Sequence, residues 1–174
     1  ILTSARCCHT NQCIDFDEVL VLKMNDGVIQ SIKSCVDWSH LITSIRPMLS
    51  QQIIQAIEDN DLNRVRSLVQ AGLDVNVRHP NTGLTALMMA ACRAQVETVQ
   101  YLVDSGADLF TTDSKTGATA LHKACQGQNA AVAKILTDAG AFIDAVTPTM
   151  GHTPIMDALW YLAPDVVKHL VQCE

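Results

Sequence analysis

The sequence predicts an all-α repeat solenoid: stacked helix-turn-helix units with β-hairpin loops, preceded by a mostly helical segment that caps the first unit. Three observations predict it. A short phrase recurs as GLTALMMAACRA from Gly83, GATALHKACQGQ from Gly117 and GHTPIMDALWYL from Gly151. Apolar residues within each copy fall at helical spacing. Aromatics make up 4% of the 174 residues while alanine is common, which suits thin, closely packed helices better than a sandwich of strands.

The step of the repeat is 34 residues. Thr85, Thr119 and Thr153 keep it, as do Leu87, Leu121 and Ile155, and Ala90, Ala124 and Ala158. Leu68, Leu102, Leu136 and Leu170 extend the series one unit backwards, with Gly72, Gly106 and Gly140 in phase. Ile53 and Ala56 align with Leu87 and Ala90, so four units start near residues 51, 85, 119 and 153. One step further back, Val19, Leu22, Ser34 and Trp38 do not reproduce the pattern.

Each unit reads as two helices and a hairpin. The threonine is placed to cap the free amides of the first turn. Small residues at the tightest positions of helix one let neighbouring helices approach closely. Helix two, as in VETVQYLVDSG, carries Val99, Leu102 and Val103 at helical spacing, and Gly106 follows as a left-handed C-terminal cap. A single unit cannot bury its apolar face alone, so stacking supplies the core and stability is shared between neighbours.

The stretch Thr119-Ala120-Leu121-His122-Lys123-Ala124 resembles the ankyrin repeat, whose signature is a Gly, one residue, then T-P-L-H-x-A-A, a paired-Leu helix and G-A-D-x-N. Thr153-Pro154-Ile155-Met156-Asp157-Ala158 keeps the proline and loses the histidine; Thr85-Ala86-Leu87-Met88-Met89-Ala90 loses both. Gly72-Leu73-Asp74-Val75-Asn76 and Gly106-Ala107-Asp108 carry the hairpin-entry signature. The resemblance covers residues 51–174. It implies that His122 is a buried residue bonding a neighbouring hairpin, with Met88 and Met156 filling the same slot by packing alone. The period departs from the usual 33 by one residue, placed by phase between Asp113 and Gly117, which predicts longer hairpins.

Residues 1–50 stand outside the array as an N-terminal capping segment. Asn25-Asp26-Gly27 between apolar runs is a hairpin signal. Against it, Val28, Ile32, Cys35 and Val36 share a helix face that Leu41, Ile42 and Ile45 continue up to Pro47, and the helical reading of 28–46 is preferred. RCCHTNQC gathers Cys7, Cys8, His9 and Cys13, to which Cys35 and His40 could add, but no paired C-x2-4-C knuckle occurs. Seven irregularly spaced cysteines suit free thiols in a reducing, intracellular setting, cytoplasmic or nuclear. No cofactor or metal is expected.

A net charge of −6 disfavours nucleic acid as a partner, and no apolar run of about 18 residues indicates a membrane span. There is no phosphate-cradling glycine loop, no HExxH and no nucleophile elbow, so no enzyme is expected. The resemblance implies a protein-interaction module that takes a protein or peptide on the concave side, formed by the end of helix one and the hairpin tip. The variable pairs there are Glu58 and Asp59, Cys92 and Arg93, Gln126 and Gly127, and Trp160 and Tyr161. The stripe runs from acidic through one arginine to two aromatics, side-chain types common at interface hot spots. It suits an extended peptide with an apolar anchor at one end and basic character at the other. The competing reading is that Trp160 and Tyr161 pack against a following segment.

The hairpin tips form a second surface: Arg78, His79 and Asn81, then Ser114 and Lys115, then Thr149 and Met150. The last helix, DVVKHLVQC, is no more polar than inner copies, which predicts that the array continues. On that reading the chain is the recruiting arm of a larger protein, such as a ubiquitin-ligase adaptor or a bacterial effector. A metal-binding or redox-sensing role of the N-terminal cysteines is the alternative from another class.

Overall fold

The structure is a computed structural model that describes residues 51–173 in full and, among the first fifty, the backbone of residues 5–6, 13–14, 21–25 and 28–33. The chain divides into two compact units, Ile1–Arg46 and Pro47–Glu174.

In the first unit, β1 (Ala5–Arg6) pairs antiparallel with β2 (Cys13–Ile14), and β3 (Val21–Asn25) with β4 (Val28–Lys33). Val21 faces Lys33 and Asn25 faces Val28, with the register slipping between Lys23 and Met24. The expectation of a mostly helical segment is therefore overturned over residues 28–33. The turn-forming Asn25-Asp26-Gly27 and the β-branched Val28, Ile29 and Ile32 outweigh a helical periodicity too short to be decisive. The rest of that expectation, from Cys35 to Ile45, lies outside the described residues, as do Cys7, Cys8, His9 and His40 of the metal reading and the capping role itself.

Among the described residues the second unit holds eight helices in four pairs. These are α1 (residues 51–58) with α2 (Leu62–Gln70), α3 (Ala86–Cys92) with α4 (Val96–Asp104), α5 (Ala120–Gln126) with α6 (Ala130–Asp138), and α7 (Pro154–Trp160) with α8 (Pro164–Val171). First helices pack on first helices and second on second, α3 on α5 on α7 and α2 on α4 on α6 on α8. The repeated leucines are the core: Leu87, Leu102, Leu121 and Leu136 are fully buried together with Ile53, Ile57, Val99, Val132 and Val166. Each such side chain contributes about 1.5–3 kcal/mol of burial.

Local chemistry ends the helices where the repeat places its signals. Thr85 accepts the Met88 amide at 3.2 Å, and Asp61 and Asn129 accept the amides of Arg64 and Val132, each at 3.0 Å. Helix two stops at Gly72, Gly106 and Gly140, all at positive φ, with the next amide bonded back to Leu68, Leu102 and Leu136. The hairpins turn from His79 to Gly83, Asp113 to Gly117 and Thr147 to Gly151, each closed by the glycine amide on the first residue's carbonyl. That is one residue more than a four-residue β-turn, at the place the 34-residue period predicts.

Candidate functional site

The polar chemistry of the array collects where the first helices face the hairpins. His79, Asp113 and Thr147 occupy one register position and hold their turns by different means. His79 Nδ1 accepts the amides of Asn81 (3.2 Å) and Thr82 (3.0 Å). Asp113 Oδ1 accepts those of Lys115 and Thr116, and Thr147 Oγ1 that of His152 at 3.0 Å. Asp113 also receives Lys123 Nζ at 2.8 Å in a buried ion pair that ties α5 to its own hairpin. Burial raises the Asp113 carboxyl, but the Lys123 ammonium, the Thr116 hydroxyl and the two amides outweigh it and hold the group far below the usual carboxylate range.

The seam between the third and fourth pairs is the most polar. His122 is fully buried. Its Nε2 lies 3.1 Å from the His152 carbonyl, which only accepts, so Nε2 carries the proton and donates. Nδ1 then accepts from the Thr119 amide (3.2 Å) and hydroxyl (2.9 Å). Burial lowers the His122 pKa, and the opposing pull of the His152 carbonyl and the Asp157 charge is smaller. Asp157, buried in α7, accepts Gln126 Nε2 at 2.9 Å and His152 Nδ1 at 3.1 Å. On α8, His169 Nε2 meets Thr137 Oγ1 of α6 at 2.8 Å.

The sequence-predicted stripe divides on inspection of its partners. Arg93 reaches the Glu58 carboxylate at 3.4 Å and the Glu58 carbonyl at 3.2 Å, and Asp59 faces Arg64 at 3.7 Å and accepts Gln55 Nε2 at 3.0 Å. The acidic end thus already faces its own cations. Gln126 is held by Asp157. Gly127 lies against α3: a side-chain carbon there would stand 2.7 Å from the Cys92 carbonyl oxygen, so this position serves the seam. Cys92 is exposed beside it, whereas burial drives the Cys125 thiol up to about 12, out of reach of thiolate chemistry.

Trp160 and Tyr161 close α7 with 75% and 41% of their surfaces exposed. The Trp160 ring stands 6.4 Å from the His152 ring, so the aromatic lies beside the hairpin. On the hairpins, Arg78 Nη1 bonds the Gly83 carbonyl at 2.9 Å and the Thr112 carbonyl of the next hairpin at 3.0 Å. Arg78 and His79 are therefore tied into the hairpin framework, while the Lys115 side chain is exposed. Sequence reasoning missed Asp113, Lys123, His152 and Asp157. The available signal was a charged residue at the steps of Lys123 and Asp157 where the second unit's copy, Met89, is apolar.

Among the described residues no group of three or more His, Cys, Asp or Glu is placed to hold a metal ion, and no helix is long and apolar enough to cross a membrane. A family model described as Ankyrin repeats (3 copies) matches residues 50–113 and again residues 108–174, together more than half of the chain. No curated protein matches the chain.

Proposed function

The chain belongs to the ankyrin-repeat family, whose repeats generally serve as protein–protein interaction modules, and on that premise we propose that this protein is a non-enzymatic binding module for a protein or peptide segment laid along the hairpin side of its first helices. One observation carries the reading. Trp160 is three-quarters exposed with Tyr161 next to it, beside a row of polar side chains that are already fixed by internal bonds. Exposed aromatics on a pre-organised surface bind at low entropic cost.

The partner's chemistry follows from what is free. Glu58, Asp59 and Arg93 face their own counter-charges, so a charged partner must compete with existing pairs. Trp160 and Tyr161 have no such competitor and supply the anchor for an apolar or aromatic side chain. Cys92, Gln126 and the exposed Lys115 border the path and set register rather than affinity. Peptides selected from a random library against the wild-type array should bind a Trp160→Ala, Tyr161→Ala double variant at least tenfold more weakly, a loss of about 1.4 kcal/mol or more. Equal binding by a variant of unchanged melting temperature would reject the site.

A further inference from the structure

Where each second helix gives way to its hairpin, side chains alternate between core and solvent. Ala107 and Leu109 are buried, while Asp108 and Phe110 are exposed. Asp74 and Asn76 one unit earlier, and Phe142 and Asp144 one unit later, are exposed in the same way. Asp74, Asn76, Asp108 and Phe110 have a further unit stacked beyond them and are exposed nonetheless, so the exposure belongs to this edge itself. The first two seams join the edge by different chemistry. Between the first and second units, Asn76 Oδ1 accepts the Asp108 amide at 2.8 Å. Between the second and third, the same two steps carry Phe110 and Phe142, whose rings pack 4.6 Å apart at 42°. The rings stay 51% and 60% exposed, so the pair replaces a hydrogen bond without gaining full burial.

Carboxylates bracket the pair. Asp108 stands two residues before Phe110 and Asp144 two residues after Phe142, with Asp74 one unit further along. Among the described residues none of the three forms an ion pair. The Thr111 hydroxyl and the Phe110 amide hold the Asp108 carboxyl below its usual range. Arg78 adds a weaker pull, and its Nη1 is committed to the Gly83 and Thr112 carbonyls. Carboxylates accept hydrogen bonds without donating, and phenyl faces attract cations. An occupant must therefore bring donors on a flat positive group, which describes a guanidinium and not an ammonium or an anion. The array makes such a contact once itself, with the Arg66 guanidinium 5.5 Å over the Tyr101 ring. We propose that Asp108, Phe110 and Phe142 form a docking site for an arginine side chain of a partner protein, its guanidinium stacked on the phenylalanine pair and bonded to Asp108. Asp74 and Asp144 extend the acidic edge to either side and favour further basic residues in the same segment. The site lies at the hairpin entries, apart from Trp160 and Tyr161 at the end of α7, and does not depend on the reading given for them.

The test follows the isotope-labelled full chain by NMR as it is titrated with a blocked glycine-arginine-glycine peptide, and in parallel with its citrulline and lysine counterparts. The arginine peptide shifts the ring resonances of Phe110 and Phe142, and ring currents move its own side-chain protons upfield. The citrulline peptide, equal in shape and uncharged, produces neither effect, and the lysine peptide binds roughly two- to fivefold more weakly. Phe110→Asn, which copies the residue at the Asn76 step, abolishes the upfield shift at an unchanged melting temperature. Asp108→Asn keeps the acceptor of the turn, removes the charge and abolishes the shift too, and it decides the matter where Phe110→Asn melts early. The Trp160→Ala, Tyr161→Ala double variant retains the shift, which separates this site from the one on α7. Absence of ring shifts overturns the proposal, as do equal shifts from the citrulline peptide, survival of the shift in a folded Phe110→Asn or Asp108→Asn variant, or its loss in the double variant.

Discussion

His122 is held neutral chiefly by its burial, which outweighs the opposing pull of the His152 carbonyl. A second ring proton on Nδ1 would displace the Thr119 amide from its acceptor and leave only the Thr119 hydroxyl oxygen to receive it. The folded-state pKa lies below the ordinary value, so the unfolded chain binds the proton first as pH falls. The contribution of this residue is fully present above about pH 6.5 and declines as pH drops from there through the lowered folded value. His122→Met, which copies Met88, should cost about 1–3 kcal/mol at pH 7.5 by orphaning the Thr119 amide and the His152 carbonyl. It should also flatten the stability profile below pH 6.5; an unchanged slope in denaturant titrations would remove His122 as its source. Gly127 makes a different prediction. Its φ of about −77° suits any residue, so its identity reflects space alone. Gly127→Ala drives a methyl into the carbonyls of Cys92 (2.7 Å) and Ala91 (3.0 Å), backbone atoms that cannot swing aside. The expected loss is about 1–3 kcal/mol in chemical denaturation.

At the scale of the element, the helix pairs were legible because four register signals agreed: the threonine cap, the alanine, the leucine and the left-handed glycine. Less visible was the turn between the two helices. Asn60, Ala94, Gln128 and Leu162, again 34 apart, all adopt positive φ near 55–57° without being glycine. No residue type marks that turn, because the seam bonds around it hold it in place, as where Gln95 Nε2 reaches the Ile57 carbonyl at 2.7 Å. Left-handed backbone costs a non-glycine residue roughly 1–2 kcal/mol. Ala94→Gly should therefore raise stability by about 0.5–1 kcal/mol, read as an increase in melting temperature, and a decrease would mean that the Ala94 methyl matters more than its backbone. Residues 28–33 were misread for the opposite reason. Over 28–33 a helical face and a strand run are the same six letters, and only the neighbouring turn separates them. Within the candidate stripe the pairing of Glu58 with Arg93 was not legible, since the two are 35 residues apart and meet only once the units stack.

For the whole molecule, the two seams on either side of α5–α6 differ in kind. The seam with α3–α4 is built from Met88, Ala90, Ala91 and Leu87, all buried and apolar. The seam with α7–α8 rests on His122, Gln126, Gln128, Asp157, His152 and the His169–Thr137 contact. Stability in a stacked array is approximately a sum of unit and nearest-neighbour terms, so α7–α8, held to α5–α6 across a polar seam, opens before α3–α4 and α5–α6, which share an apolar one. Native-state hydrogen exchange should show α7–α8 opening at lower free energy than α3–α6, with the gap widening below pH 6.5 as the unfolded chain takes the proton that buried His122 refuses. His122→Met should weaken the seam at neutral pH yet remove the widening in acid. Uniform exchange across the four pairs at both pH values would mean that the array opens as one cooperative block. In that case the burial of Val166, Leu170 and Ala163, not the polar seam, sets the strength with which the last pair is held.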